Sequence, residues 1–114
     1  MKTEIRAKGI NQPQDFQEHV ERRVALELSR FSEKLSGIIV WLEDVNGPKG
    51  GVDKHCRVKV SGPGVGPIVA EGRDTDMASA ISRAIATAGR AASRSLRRVQ
   101  SRDLLASRSL DTEQ

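Results

Sequence analysis

Apolar residues follow helical spacing in two long stretches of the chain. From Gln14 to about Ser36 they recur every three or four residues, as a helix that packs one face on a core requires. From Asp76 to Arg102 they again share one side when successive positions are placed about 100° apart. The pattern predicts two amphipathic helices, with apolar positions Phe16, Val20, Val24, Leu28, Phe31 and Leu35 in the first and Met77, Ile81, Ala84, Ile85, Ala88, Ala92, Leu96 and Val99 in the second.

The remaining apolar stretches are short and alternate with polar residues, which is typical of strands that bury one face. Loops rich in glycine and proline, at 46–51 and 62–67, separate the last three of these stretches. Asp74 or Thr75 is expected to be the N-cap of the second helix, since both types accept hydrogen bonds from a helix's first N–H groups. The predicted strands are residues 2–10, 38–45, 55–60 and 68–72.

The order β-α-β-β-β-α predicts an α+β fold, a two-layer sandwich in which both helices cover one face of a four-stranded mixed sheet. The first strand, helix and strand form a right-handed crossover with parallel pairing, and hairpins follow. We expect residues 1–102 to form a single domain of ordinary size. Residues 103–114 lack periodicity and are expected to be a short flexible tail.

Positive charge is concentrated in the second predicted helix. The formal net charge of the 114-residue chain is +4, yet residues 73–102 alone hold seven arginines and two acids. No acid stands four residues before or after these helix arginines to neutralise them. Four of the arginines fall opposite the apolar face, within roughly 60° of arc. A surface that carries only positive charges is typical of a polyanion binder. Its arginines are Arg83, Arg90, Arg94 and Arg97, with Arg98 and Arg102 along the same edge.

The outer face of the first helix is weaker evidence for a polyanion partner, because it carries both positive and negative side chains. Glu27 follows Arg23 by four residues, the spacing of a surface salt bridge. An ordinary salt-bridged surface and direct contact with a polyanion both remain open for this face.

Two further features allow two interpretations each. The glycine-rich segment 46–51 is either a plain hairpin connection or a loop from which Lys49 and Lys54 reach a phosphate backbone. Trp41 lies on the strand face that points away from the helices. There it either stacks on a nucleic-acid base or covers cross-strand neighbours such as Val69 or the stems of Arg57 and Lys59.

The chain offers little for catalysis or metal binding. His55 and Cys56 are strand neighbours and point to opposite faces, so they cannot share an ion or form a dyad. A buried, inert thiol is expected at Cys56. No acid pair has the context of a general acid and base, and no apolar run is long enough to span a membrane. We therefore expect no enzyme activity, cofactor, metal, small-molecule substrate or membrane contact, and a cytoplasmic protein.

Several short motifs occur in the order and spacing of a known family. Over residues 2–100 the chain resembles the ribosome hibernation promoting factor family, which includes the ribosome-associated inhibitor. Ala78 departs from the pattern, because the family usually has Tyr there. The motifs are Ile5 with Gly9-Ile10, Val20-Glu21-Arg22-Arg23, Val69-Ala70-Glu71, Asp76-Met77 with Ala80-Ile81, and the stretch from Asp44 to Cys56.

The resemblance implies a partner and a mode of action. Family members bind the small ribosomal subunit between head and body, occupy mRNA and tRNA positions, and hold ribosomes inactive under stress. They place basic residues of both helices against rRNA. We expect no C-terminal dimerisation domain after the short tail. With Lys49 and Lys54 from the loop interpretation, the expected rRNA contacts are Arg22, Arg23, Lys49, Lys54, Arg83, Arg90, Arg94, Arg97 and Arg98.

Two other functions are compatible with the sequence. The α-β-β-β-α portion has the element order of a double-stranded RNA-binding domain, so general duplex binding is one alternative. A protein-interaction module, in which the basic helix meets an acidic partner, is the other.

Overall fold

A computed structural model describes residues 2–10, 13–45, 53–63 and 65–112, with the side chains of the last helix described as far as Arg97. The element order is the predicted one, and two 3-10 helices, Pro13–Phe16 and Ser29–Phe31, flank the first α-helix. The elements are β1 (Lys2–Lys8), α1 (Gln17–Leu28), β2 (Gly37–Asp44), β3 (Lys54–Gly62), β4 (Val65–Asp74) and α2 (Met77–Thr112).

The four strands form one mixed sheet in the order β1-β2-β3-β4. β1 pairs in parallel with β2, whereas β2–β3 and β3–β4 are antiparallel, which confirms the predicted crossover followed by hairpins. A bulge near Gly62 shifts the β3–β4 register at the end of the hairpin. The sequence therefore predicted the topology correctly, including the one parallel pair.

The core lies between one face of the sheet and the two helices. α2 lies across β3 and β4, and α1 packs beside α2. The predicted inward positions of the helices, in α2 as far as Ala92, meet those of the strands in one cluster, which confirms the two-layer sandwich. Leu96 is half-buried and lies outside that cluster, and the side chain of Val99 is not among those described. The cluster's buried strand residues are Ile38, Val40, Leu42, Cys56, Val58, Val60 and Ala70, and its buried helix residues include Val20, Val24, Leu28, Ile81, Ile85 and Ala88.

Glycines allow the backbone of α2 to approach its neighbours closely. A Cβ atom at Gly72 of β4 would lie 2.3 Å from the carbonyl oxygen of Ala80 in α2. A Cβ atom at Gly89 would lie 3.1 Å from the carbonyl oxygen of Glu27 in α1. Because carbon and oxygen atoms cannot approach so closely without displacement, these two positions fix how near α2 lies to the sheet and to α1.

The first helix is shorter than predicted. The helical spacing from Gln14 to Ser36 predicts one continuous helix, but the α-helical part is Gln17–Leu28. At its end the Ser29 hydroxyl donates to the carbonyl oxygen of Ala25. Such side-chain bonds compete with the backbone ladder and favour helix ends. Phe31 and Leu35 still pack on the core through the following turn, which is why the apolar spacing continues past the helix.

The ends of α2 also differ from expectation. Asp76, rather than Asp74 or Thr75, is the N-cap, because its Oδ2 accepts from the backbone N–H of Ser79 at 3.1 Å. Asp74 instead accepts from the N–H groups of Thr75 and Asp76 and shapes the turn before the helix. At the other end the helix continues past the expected Arg102 to Thr112. The division into a domain at 1–102 and a flexible tail at 103–114 stays a prediction.

Candidate nucleic-acid interface

Three arginines of α2 form an exposed stripe without acidic partners. Arg90, Arg94 and Arg97 are exposed, and none lies within 4.0 Å of a carboxylate oxygen among the described residues. At a rise of about 1.5 Å per residue the stripe extends about 10 Å along the helix. Arg90 and Arg97 donate to hydroxyls of their own helix, at Thr87 and Ser93, both at 3.1 Å. We call Arg90, Arg94 and Arg97 the arginine stripe.

Arg83, predicted to belong to the same surface, has an acidic partner. Its Nε lies 3.2 Å from Oδ2 of Asp74, although its side chain remains 69% exposed. The backbone N–H of Asp76, that of Thr75 and the charge of Arg83 together hold the pKa of Asp74 below its usual value. The expectation that no acid neutralises this part of the helix considered only residues four positions away. It was wrong for Arg83, because the end of β4 brings Asp74 beside the first turns of α2.

The two arginines predicted in α1 are also paired. Arg22 donates to Glu18 at 2.9 Å, and Arg23 donates to Glu27 at 2.8 Å. Arg23 is only 26% exposed because Glu27 lies at the close crossing of α1 and α2. The salt bridge that the spacing of Arg23 and Glu27 predicts is therefore confirmed, and Arg22 forms a second one that was not predicted. Either arginine would have to leave its acid before it could contact a phosphate.

Lys54 lies in a structural cluster at one end of the sheet. Its ammonium donates to Asp44 at 2.9 Å and to Asp53 at 3.0 Å, and Asp53 is completely buried. The hydrogen bond to Asp44, followed by that to Asp53, raises the pKa of Lys54. A cation held by two acids is poorly placed for a polyanion. Lys49 and the side chain of Arg98, which were predicted with it, lie outside the described residues.

The opposite face of the sheet is not covered by either helix. Trp41 is half-buried there, between Arg6 of β1 and Arg57 of β3, which are its neighbours in the strand register. The guanidinium of Arg6 lies 5.8 Å from the centre of the indole ring. Val69, expected beside Trp41, instead pairs with Lys59. The register therefore places arginines, rather than Val69, directly beside the tryptophan.

Outward positions of the four strands carry an excess of cations that the sequence analysis missed. A sum of charges along the chain combines residues from the two faces of every strand. The pairing register of the strands assigns each residue to one face. Once the faces are separated, the uncovered face holds six lysines or arginines and three glutamates. These are Lys2, Arg6, Lys8, Arg57, Lys59 and Arg73 against Glu4, Glu43 and Glu71.

The described residues contain no group of three or more His, Cys, Asp or Glu side chains placed to hold a metal ion. Cys56 is buried in the core, and its burial raises the pKa of the thiol to about 12, so it is protonated and unreactive at neutral pH. His55 lies on the other face, opposite Glu43 and Arg73. Among the described helices, none is both long and apolar enough to cross a membrane.

Comparisons with known proteins agree with the fold. The structure is similar to a ribosomal subunit interface protein from Coxiella burnetii, with a TM-score of 0.68 and 16% identity over 82% of this chain and 96% of that one. It is also similar to the N-terminal domain of Protein Y from Thermus thermophilus, with a TM-score of 0.64 and 24% identity over 82% of this chain and 93% of that domain. At these identities the likeness establishes the fold.

A search of curated proteins found no match. The sequence profile of one family, described as sigma 54 modulation protein / S30EA ribosomal protein, matches residues 3–101. The match spans all four strands, α1 and most of α2, and it confirms the family resemblance read from the motifs. This chain belongs to the family of sigma 54 modulation proteins and S30EA ribosomal proteins.

Proposed function

We propose that this protein binds the small ribosomal subunit through rRNA and holds ribosomes inactive. The observation that supports it most directly is the arginine stripe on α2, an exposed row of three cations with no acidic partner among the described residues. Family membership and the structural likeness to a ribosomal subunit interface protein favour the ribosome over other polyanions.

Electrostatics supplies the affinity in this proposal. Arginines that neutralise phosphates release condensed counterions, so binding weakens steeply as salt rises. Arg90, Arg94 and Arg97 provide such contacts without first breaking an ion pair, and we propose Arg98 as a further contact from the sequence pattern alone. Arg22, Arg23 and Arg83 join them only if their acids are displaced. Lys54 is left out, because two aspartates already bind it.

Inhibition follows from occupancy and needs no chemistry. The folded domain would lie between the head and body of the subunit, where mRNA and tRNA otherwise bind. Phosphate contacts of this kind position a protein on RNA and carry little sequence information. Specificity for the site would then come from the shape of the rRNA around the domain. In this role the protein acts in the cytoplasm, where the ribosomes are.

Co-sedimentation with purified 70S ribosomes and separated subunits tests the proposal. The protein should sediment with the small subunit at low salt, and mRNA with initiator tRNA should displace it. The double variant Arg90→Glu/Arg94→Glu should fail to sediment. Its thermal unfolding should match the wild type, because both side chains are exposed on the face opposite the core.

A matched control keeps the same change in net charge at another place. Arg30→Glu/Lys34→Glu alters two exposed cations that follow α1 and belong neither to the arginine stripe nor to the uncovered sheet face. This variant should retain most of the binding. Equal loss in both double variants would indicate net charge rather than the stripe. Stronger competition by free duplex RNA than by mRNA and tRNA would instead favour a general double-stranded RNA-binding domain.

A further inference from the structure

The uncovered sheet face carries a depression lined by an aromatic ring and by charged side chains of both signs, which the proposed function does not use. Trp41 forms part of its wall, and the rest comes from two arginines, two glutamates, His55, Cys56 and Gly72. Its volume is about 220 Å³, several times the roughly 30 Å³ that one water occupies in the liquid. A planar heterocycle therefore has room beside the indole. The two arginines are Arg57 and Arg73, and the two glutamates are Glu43 and Glu71.

We propose that this depression binds an unpaired base of single-stranded RNA, so that the protein contacts RNA on two opposite faces. The indole of Trp41 provides the stacking surface. Stacking accepts any base, because every base has a π-face. The proposal goes beyond the rRNA contact of α2 and does not depend on it.

The guanidinium groups around Trp41 suit the same ligand. Arg6 lies over the indole, 5.8 Å from the ring centre, and is about half exposed. Its only described ion pair is with Glu4, two residues away, at 3.2 Å. Exposed guanidinium groups also stack on nucleobases. Arg57, which pairs with Trp41 in the register and lines the depression, can contact an inserted base in this way.

The charge of the face is complementary to a nucleic-acid backbone. Six cations and three acids point outward from the strands. Two of the acids are engaged, Glu4 by Arg6 and Glu71 by Arg57, the latter at 3.7 Å. Lys59 and Arg73 have no carboxylate partner among the described residues. Lys59 lies on β3, two positions from the Arg57 that pairs with Trp41, and Arg73 of β4 lines the far side of the depression. Phosphates on either side of a bound base would meet these two cations.

The glutamates distinguish a base from other anionic ligands. Glu43 and Glu71 line the depression and would repel an acidic peptide placed there. Their carboxylates accept hydrogen bonds, and the exocyclic amino groups of adenine, guanine and cytosine donate them. A base accompanied by phosphates fits a site that is cationic around its rim and has acceptors inside. An acidic protein segment does not.

Tryptophan fluorescence tests the proposal directly, because the sequence contains a single Trp. A ten-nucleotide RNA of mixed sequence without self-complementarity should quench the emission of Trp41. An abasic oligomer of equal length and charge, or an oligoglutamate, should not. Arg90→Glu/Arg94→Glu should leave the quenching unchanged, since these residues lie on the helix layer. Quenching by the abasic oligomer or the acidic peptide, or loss of quenching in the α2 variant, would overturn the assignment.

Anisotropy of the same RNA carrying a fluorophore gives an independent readout. Trp41→Leu should weaken binding by roughly tenfold or more, the usual effect of losing one stacked base. Trp41→Phe, which retains a π-face, should keep most of the affinity. Val69→Ala is the matched control, because it trims an exposed apolar side chain of the same face without removing an aromatic ring. Equal affinity of Trp41→Leu and wild type would refute the proposal while the ribosome experiment stands unaffected.

Discussion

The arginine stripe should set the salt dependence of binding to the ribosomal subunit. Arg90→Gln/Arg94→Gln removes two cations that have no acidic partner among the described residues, and it introduces no repulsion. Each phosphate contact contributes about 0.7 to 0.9 to the slope of log affinity against log salt. The double variant should therefore lower the magnitude of the slope by about 1.4 to 1.8.

This change in slope is large enough to measure. Over a fourfold rise in salt, from about 50 to 200 mM, one contact accounts for roughly a threefold loss of affinity and two contacts for about tenfold. Over that range the factor by which affinity falls should be about ten times smaller for the double variant than for the wild type. Equilibrium titration of a fluorescently labelled protein with purified small subunits at five salt concentrations gives both slopes.

A matched variant separates paired arginines from unpaired ones. Arg22→Gln/Arg83→Gln changes the net charge equally, but it removes arginines that already bind Glu18 and Asp74. The slope of log affinity against log salt should fall by less than about 0.7 to 0.9, which is the contribution of one phosphate contact. The reasoning fails if this variant lowers the slope as much as Arg90→Gln/Arg94→Gln does, or if the latter leaves it unchanged. Unfolding curves of both variants should coincide with the wild type.

Three further predictions concern stability. Gly72→Ala should destabilise the protein by about 1–3 kcal/mol in urea unfolding, because a Cβ would lie 2.3 Å from the Ala80 carbonyl oxygen; an unchanged midpoint would contradict the close packing of β4 on α2. Asp76→Ala should cost about 1 kcal/mol through loss of the N-cap bond to Ser79, whereas Asp76→Asn should recover most of it. The thiol of Cys56 has a pKa of about 12 in the folded protein and an ordinary value of 9.0 in the unfolded chain. The stability that the buried, protonated thiol contributes is therefore fully present below pH 9. It should be lost at about 1.4 kcal/mol per pH unit as the pH rises toward 12, and Cys56→Ala should flatten that part of the pH–stability curve.

Much of the fold could be read from the sequence because it follows from short-range patterns. The apolar spacing of Val20, Val24 and Leu28 identified the inward face of α1, and the alternation in β2 and β3 identified the strand residues that became the core. The helix between the first two strands then indicated a crossover connection and thus the parallel pairing of β1 with β2. Where the pattern was ambiguous, at the ends of α1, the boundary was wrong. Apolar residues in a turn can continue helical spacing without continuing the helix.

The candidate interface was predictable only in part. Helical periodicity alone placed Arg90, Arg94 and Arg97 opposite the core, and the spacing of Arg23 and Glu27 alone indicated their salt bridge. Both depend on residues within two turns of one helix, where distance along the chain determines distance in space.

Tertiary structure decided which cations are free and which surfaces they share. Lys54 is neutralised by Asp44, ten residues away across a hairpin, and Arg83 by Asp74 at the end of β4. The cations around Trp41 come from strands separated by long stretches of sequence. Charge acts through space and with little regard to chain order, so the sequence determined where each basic residue lies on its own element. Only the packing of those elements determined which basic residues meet an acid, which meet an indole, and which remain available to a phosphate.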